Sequence, residues 1–339
     1  MGLAGWKTNV HNQTGILDFA LAIDIGGTKI AFTFVDTSGK ELVLTETHPV
    51  PFDSEHRAIP EKIVEIIAPY VERAKAIPGK LLGIGLSNAG NVDPHTGMAT
   101  LVANLGWHYV PIGQMISDAF GLPVYPATDV RMALVGELVW GAAKGHKFVA
   151  WATDGTGYGG YLFLDGKLYD GTHNFAGPFG HNTLDEVNGF PCGCGRKGCV
   201  ETYVSGPAIA RAGKKAAESG VSVALATILK ERPISTRDVF AAEAAGDSGA
   251  HVVIEEVIRL LAISLSGLVN TLDLDLIVFG GGVTHGSPDF VDRVSRRIRD
   301  FLMSEEAIRD LKVVPETHEN SCLIGAAAEV FIRLGILTL

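Results

Sequence analysis

The 339-residue chain is 47% hydrophobic and 19% charged, and its 28 Lys and Arg against 38 Asp and Glu leave a net charge of −10. That length suits two domains better than one, and an acidic balance without clustered cations argues against a nucleic-acid surface. No apolar run reaches the roughly eighteen residues that a spanning helix needs, and the amino-terminal residues lack the pattern of a secretion signal, so the reading is a cytoplasmic protein off the membrane.

Residues 1–18 read as a loosely held extension. FALAIDIGGTKIAFTFVDTSGK (19–40) follows, an apolar run, a glycine turn and a second apolar run: a β-hairpin whose turn carries small residues and a Thr. IPEKIVEIIAPYVERAKA reads as an amphipathic helix, LLGIGLS as a strand, NAGNVDPHTG as a loop and DVRMALVGELVWGAAKG as a helix. KFVAWATDGTGYGGYLFLDGK (147–167) then repeats the plan of the first hairpin. Glycine at such turns permits positive φ and lets backbone N–H groups approach an anion. Two such turns at matching places suggest a duplicated lobe with phosphate held between.

Three of the four cysteines fall within residues 192–199, and a histidine precedes them. His181, Cys192, Cys194 and Cys199 offer one imidazole and three thiolates, a set suited to tetrahedral zinc; the alternative is a group of buried thiols. With no position open for water the zinc would be structural, bracing a loop. Downstream, 207–231 and 235–271 read as mostly helical. LDLIVFGGGV is a buried strand running into a glycine turn, VDRVSRRIRDFLMSEEAI a helix, LKVVPE a strand and SCLIGAAAEVFIRLGIL the closing helix, with Cys322 in its core face. Alternating strands and helices mean an α/β architecture.

Taken together, these pieces resemble the ROK family (repressor, open reading frame, kinase) from about residue 19 to 335. The carriers are Gly180-His181 with CGCGRKGCVE, IDIGGTK, DGTGYGG, IVFGGGV, and SNAGNVD with NLGW. The resemblance implies a two-lobe actin-like (ribonuclease H-like) ATPase fold with a small zinc loop. It also implies an ATP-dependent sugar kinase using Mg²⁺ and Zn²⁺, assembled as a homodimer or homotetramer. The expected lobes are 19–127 with 323–339, and 128–322, the latter carrying the zinc segment 181–199. Asp129 stands where the family's catalytic aspartate stands and would accept the proton of the attacking sugar hydroxyl; it also reads as a helix N-cap. Asp24 would hold Mg²⁺ through water. Gly26, Gly27, Thr28, Gly155, Thr156 and Gly157 would serve the phosphates, and Gly281 and Gly282 the adenosine. Gly90, Asn104, Thr128, His181 and Glu201 would line the sugar, with His181 binding zinc by one ring nitrogen and sugar by the other. Lys29 is assigned no phosphate role, and the P-loop pattern is missing.

The chain departs from the family at Pro178, where the resemblance leads one to expect a glutamate gripping the C1–C2 end of a hexose, and at Thr128, where the family has Asn. These departures spare the kinase parts and alter sugar choice, so the expected acceptor is a hexose, a modified hexose or a hexose-like cyclitol. The alternatives are a glucokinase of relaxed specificity, or a non-catalytic sugar-binding ROK protein or regulator. Against the regulator stands the expectation that ROK repressors carry an amino-terminal DNA-binding module, for which 18 residues are too few.

Overall fold

The computed structural model describes residues 18–339, so the expected extension lies, but for Asp18, outside the described residues. In chain order the strands are β1 (Phe19–Ile25), β2 (Lys29–Asp36), β3 (Glu46–Pro49), β4 (Leu81–Asn88), β5 (Asn91–Val92), β6 (Ala99–Val102), β7 (Trp107–Val110), β8 (Val124–Thr128), β9 (Val149–Asp154), β10 (Tyr158–Leu164), β11 (Lys167–Leu168), β12 (Leu276–Gly280) and β13 (Lys312–Pro315). The helices are α1 (Pro60–Ala74), α2 (Ile112–Phe120), α3 (Asp129–Trp140), α4 (Glu201–Val204), α5 (Gly206–Glu218), α6 (Val223–Leu229), α7 (Thr236–Ala244), α8 (Ser248–Leu272), α9 (Phe290–Ile298), α10 (Glu305–Asp310) and α11 (Ser321–Arg333).

The described chain forms two compact units. The first runs to Lys144 and takes in 171–175 and 317–339; the second holds 145–170 and 176–316. The change of unit thus falls after Lys144, where the sequence suggested 127, because α3 packs on α11 within the first unit. Glu137 of α3 is fully buried and fastens that end of the unit: its carboxylate accepts the Ala142 N–H at 2.8 Å, the Thr317 N–H at 2.7 Å and the Thr317 hydroxyl at 2.8 Å.

The sheet of the first unit has the order β3-β2-β1-β4-β8. β1 is antiparallel to β2 and parallel to β4, which is parallel to β8. In β1 the period of two sorts side chains by size. Phe19, Leu21, Ile23 and Ile25 enter a core with Ile63 and Ile67 of α1, whereas Ala20 and Ala22 face Ala326, Ala327 and Val330 of α11. The small face admits α11 closely: a Cβ on Gly85 of β4 would overlap the Ala326 carbonyl. In α1, Pro60 opens the helix, and Ile63, Ile67, Tyr70 and Ala74 form its buried stripe. A small sheet, β5-β6-β7, was not legible in the loop sequence.

The sheet of the second unit has the order β11-β10-β9-β12-β13, with the same sequence of pairings: antiparallel within the hairpin, then parallel. The expected duplication is therefore present in topology. Its core unites Ala150 and Ala152 of β9 and Ile277 and Phe279 of β12 with Ile254, Ile258 and Leu261 of α8. The helix expected over 291–308 is interrupted between α9 and α10. There the Asn270 side chain donates to the Phe301 carbonyl at 2.9 Å and accepts the Met303 N–H at 3.1 Å, and Ser304 caps α10. Cys322 is half-buried rather than in the core. No described helix is long and apolar enough to cross a membrane.

Candidate active site

In the first unit the carboxyl ends of three neighbouring strands gather the polar groups. Parallel pairing sets Asp24 of β1 beside Ser87 of β4, and Asn88 beside Thr128 of β8. The Ser87 hydroxyl donates to Asp24 Oδ1 at 2.6 Å. Burial nevertheless holds the Asp24 carboxyl above the usual carboxylate range, partly offset by Ser87. Asp129 is the first residue of α3, and its Oδ1 accepts the Val130 N–H at 2.8 Å. Burial, and then the charge of Asp24, push its carboxyl up to about 7. The N-cap itself is Thr128, whose hydroxyl accepts the Arg131 N–H at 3.4 Å. Asp129 is therefore not needed as the cap, which leaves its carboxylate to other work.

Gly26 closes the first turn by donating its N–H to the Lys29 carbonyl at 3.0 Å. Gly26, Gly27, Gly155 and Gly157 do not stand at positive φ, so what the two hairpin turns require is room. A Cβ on Gly27 would lie 3.1 Å from the Asn104 Cβ, which places Asn104 beside the first turn. Thr28 and Lys29 point to solvent. Gly90 does adopt φ +91°, and a Cβ there would meet the Leu101 carbonyl at 2.9 Å.

In the second unit the 155–157 turn closes with the Gly155 N–H on the Gly157 carbonyl at 2.9 Å, and Thr156 is exposed. The turn after β12 lies next to it. Gly281, at φ +95°, rests on the Asp154 carbonyl, and a Cβ on Gly155 would be 3.7 Å from the Gly282 nitrogen. Glu201 opens α4, and its Oε2 accepts the Tyr158 N–H at 3.0 Å. Asp154 was not singled out in the sequence. It is fully buried, neither carboxyl oxygen has a hydrogen-bond partner, and burial together with Glu201 raises its carboxyl well above the usual range.

The ligating atoms of His181, Cys192, Cys194 and Cys199 all lie within 4.8 Å of one another. Cys192 Sγ is 3.5 Å from His181 Nδ1, and the Cys194 and Cys199 sulfurs are 3.6 Å apart. Ligands about 2.0–2.3 Å from a tetrahedral ion stand roughly 3.5–3.8 Å apart, as these two pairs do, so one imidazole and three sulfurs here fit zinc. Nδ1 faces the sulfurs, leaving Nε2 to point elsewhere. The backbone N–H of Arg196 draws the Cys194 thiol down to about 6, toward the thiolate a metal needs. For Mg²⁺ the fit is one of chemistry: Asp24 offers hard carboxylate oxygen at a strand end beside the first glycine turn.

The structure thus groups Asp24, Gly26, Gly27, Thr28, Gly90, Asn104, Thr128 and Asp129 in the first unit. It groups Gly155, Thr156, Gly157, His181, Cys192, Cys194, Cys199, Glu201, Gly281 and Gly282 in the second. Ser87 joins the first set through strand register, which no sequence pattern announces.

A glucokinase of Streptomyces coelicolor is 30% identical over 319 residues, which cover 92% of this chain and 97% of the relative. A xylose repressor of Bacillus spizizenii is 25% identical, covering 83% of this chain and 68% of that protein. Among solved structures, a ROK family glucokinase from Streptomyces griseus in complex with glucose and AMPPNP superposes with a TM-score of 0.76 at 29% identity, covering 91% of this chain and 98% of the other. Residues 20–331 match the ROK family, and with that span matched the chain belongs to the ROK family.

Proposed function

We propose that the chain transfers the γ-phosphate of ATP to the primary hydroxyl of a hexose, a modified hexose or a hexose-like cyclitol, with Asp129 as general base. The chain is an ATP-dependent carbohydrate kinase, by its likeness to the Streptomyces glucokinases. The observation that carries the assignment of the base is the Asp129 carboxyl, set at a helix start and poised at about 7. A base with that pKa takes a proton readily in transfer and is still substantially ionised at neutral pH. The Val130 N–H fixes one oxygen, leaving the other to meet the acceptor hydroxyl. As the hydroxyl oxygen attacks phosphorus, its proton passes to Asp129 and the β-phosphate oxygen leaves with ADP.

With the Gly26 and Gly155 N–H groups closing their own turns, the N–H groups of Gly27, Thr28, Thr156 and Gly157 and the exposed hydroxyls of Thr28 and Thr156 would be the donors for phosphate oxygens, Gly26 and Gly155 shaping the turns, and the Gly281–Gly282 turn gives adenosine a side-chain-free surface. Mg²⁺ on Asp24 would offset phosphate charge. Zinc on His181, Cys192, Cys194 and Cys199 would fix the His181 ring so that Nε2 faces sugar, while Gly90, Asn104, Thr128 and Glu201 contribute further contacts to hydroxyls. The same reading places the enzyme in the cytoplasm as a homodimer or homotetramer.

The acceptor follows from the 177–180 turn. Phe179 is buried against Tyr158, with ring centroids 5.4 Å apart, and a Cβ on Gly180 would overlap the Tyr158 carbonyl. Neither residue can put an acceptor where Pro178 has none. Losing a charged acceptor costs roughly 1.5–3 kcal/mol, about 10- to 100-fold in KM for a sugar that needs it. Plain glucose is then not the best substrate. A coupled ADP-release assay over hexoses, amino sugars, N-acetyl sugars and cyclitols tests this. A cyclitol or C2-modified sugar should lead, and Pro178→Glu, compared with Pro178→Ala, should improve glucose. If the parental enzyme prefers glucose to all others, it is a glucokinase of relaxed specificity. The xylose repressor's likeness supports a second reading, a sugar-binding regulator, which absence of ADP release with every acceptor would favour.

A further inference from the structure

Two bonds from one short segment straddle the 155–157 turn. On one side the Gly206 N–H donates to the Gly155 carbonyl at 2.7 Å. On the other, Glu201 Oε2 accepts the Tyr158 N–H at 3.0 Å. The carboxylate stands so close that a Cβ on Gly157 would lie 2.7 Å from Oε2. A side chain at 157 would push the Glu201 carboxylate away from the Tyr158 N–H. Gly206 is held in turn, its carbonyl accepting the Thr236 hydroxyl at 2.6 Å.

The other end of the same segment is built by the cysteine–histidine cluster. The Cys199 carbonyl accepts both the N–H of Thr202, at 2.9 Å, and its hydroxyl, at 2.8 Å, which fixes the first turn of α4. The Val200 N–H donates to the carbonyl of Asn182, the neighbour of His181, at 2.9 Å. Glu201 Oε1 faces Cys192 Sγ at 3.6 Å. A metal joining His181 to Cys199 therefore closes the base on which the Glu201 side chain stands. Three thiolates and an imidazole leave a zinc site with net negative charge, so it would not attract phosphate itself. Its influence on the turn is mechanical.

We infer that Glu201 is a positioning residue linking the cluster to the nucleotide: metal in the cluster orders α4, and Glu201 with Gly206 transmits that order to the N–H donors of the 155–157 turn. Metal loading then governs affinity for ATP as well as for sugar. The inference rests on the kinase reading for what the turn binds.

The test uses the full-length protein as parental chain, Glu201→Ala and Glu201→Gln, each zinc-loaded and chelator-stripped. Hydrogen exchange of the peptide spanning Tyr158 is followed without nucleotide, and the Kd for AMPPNP is measured by calorimetry without sugar. In the parental chain, stripping should speed exchange at Tyr158 and raise the Kd about 10-fold. Loaded Glu201→Ala should show both changes already, with stripping adding less than about twofold, since the two perturbations share one path. Loaded Glu201→Gln keeps an oxygen acceptor for the Tyr158 N–H and should stay within about threefold of parental. Independent, additive effects of stripping and Glu201→Ala, or unchanged Tyr158 exchange in loaded Glu201→Ala, would overturn the inference. Exchange that responds as expected in a chain that binds no nucleotide would preserve the tether but overturn its coupling to ATP, and the kinase reading with it.

Discussion

As the proposed base, Asp129 meets opposing demands from folding and catalysis. Its carboxyl is raised to about 7 in the native chain, chiefly by burial and secondarily by Asp24, against about 3.9 when unfolded. The folded state then binds the proton more tightly than the unfolded one, so this residue's contribution to stability is full below about pH 4 and is lost as pH rises through about 7. Asp129→Asn should accordingly gain stability relative to the parental chain as pH increases from 4 to 7, a trend that denaturant unfolding at several pH values would read. Catalysis needs the ionised form, so kcat/KM should fall as pH drops below about 7. An inflection near 4 in the pH–rate profile would mean that burial does not act on the base as described. Asp129 was singled out in ATDVRMALVGE only through the family resemblance. Its surroundings were not legible, because Ser87 and Asp24 meet through parallel strand register and Thr128 takes the cap.

Among the elements, α11 lies where it does because glycine lets backbone approach backbone. A Cβ on Gly325 would overlap the Met132 carbonyl of α3, and one on Gly85 the Ala326 carbonyl of α11. Backbone cannot yield as a flexible side chain does, so Gly85→Ala or Gly325→Ala should each cost about 1–3 kcal/mol or more of unfolding free energy. Gly121→Ala meets no atom and serves as a control, its penalty coming only from φ +64°. Chemical denaturation compares them. α1, α11 and the two hairpins were readable from the sequence, whereas α2 (Ile112–Phe120) and β8 were not read and the single helix expected over 291–308 is two. α3 was bounded by its caps rather than its pattern, being buried from Arg131 to Val139. The β5–β7 sheet is built from strands as short as Asn91–Val92, below the length at which alternation speaks.

At the scale of the whole molecule, chemistry-bearing motifs separated by long stretches of sequence fall into two units of like topology, and the cysteine–histidine cluster lies in the second. Metal analysis should find one zinc per chain, lost in Cys194→Ser together with sugar affinity and several degrees of Tm; a metal-free, fully active chain would remove zinc from the account. The cluster was legible because ligand spacing is local. Asp154 was not, because its meaning lies in being buried without a partner, which only packing reveals. The most direct measurement is the rate of phosphoryl transfer by Asp129→Asn against the parental enzyme, on the parental enzyme's best acceptor at saturating ATP. The account predicts a kcat lower by about 10²–10⁴ with AMPPNP and acceptor binding kept, because the amide preserves shape but cannot take the proton. Turnover at near the parental rate would contradict it.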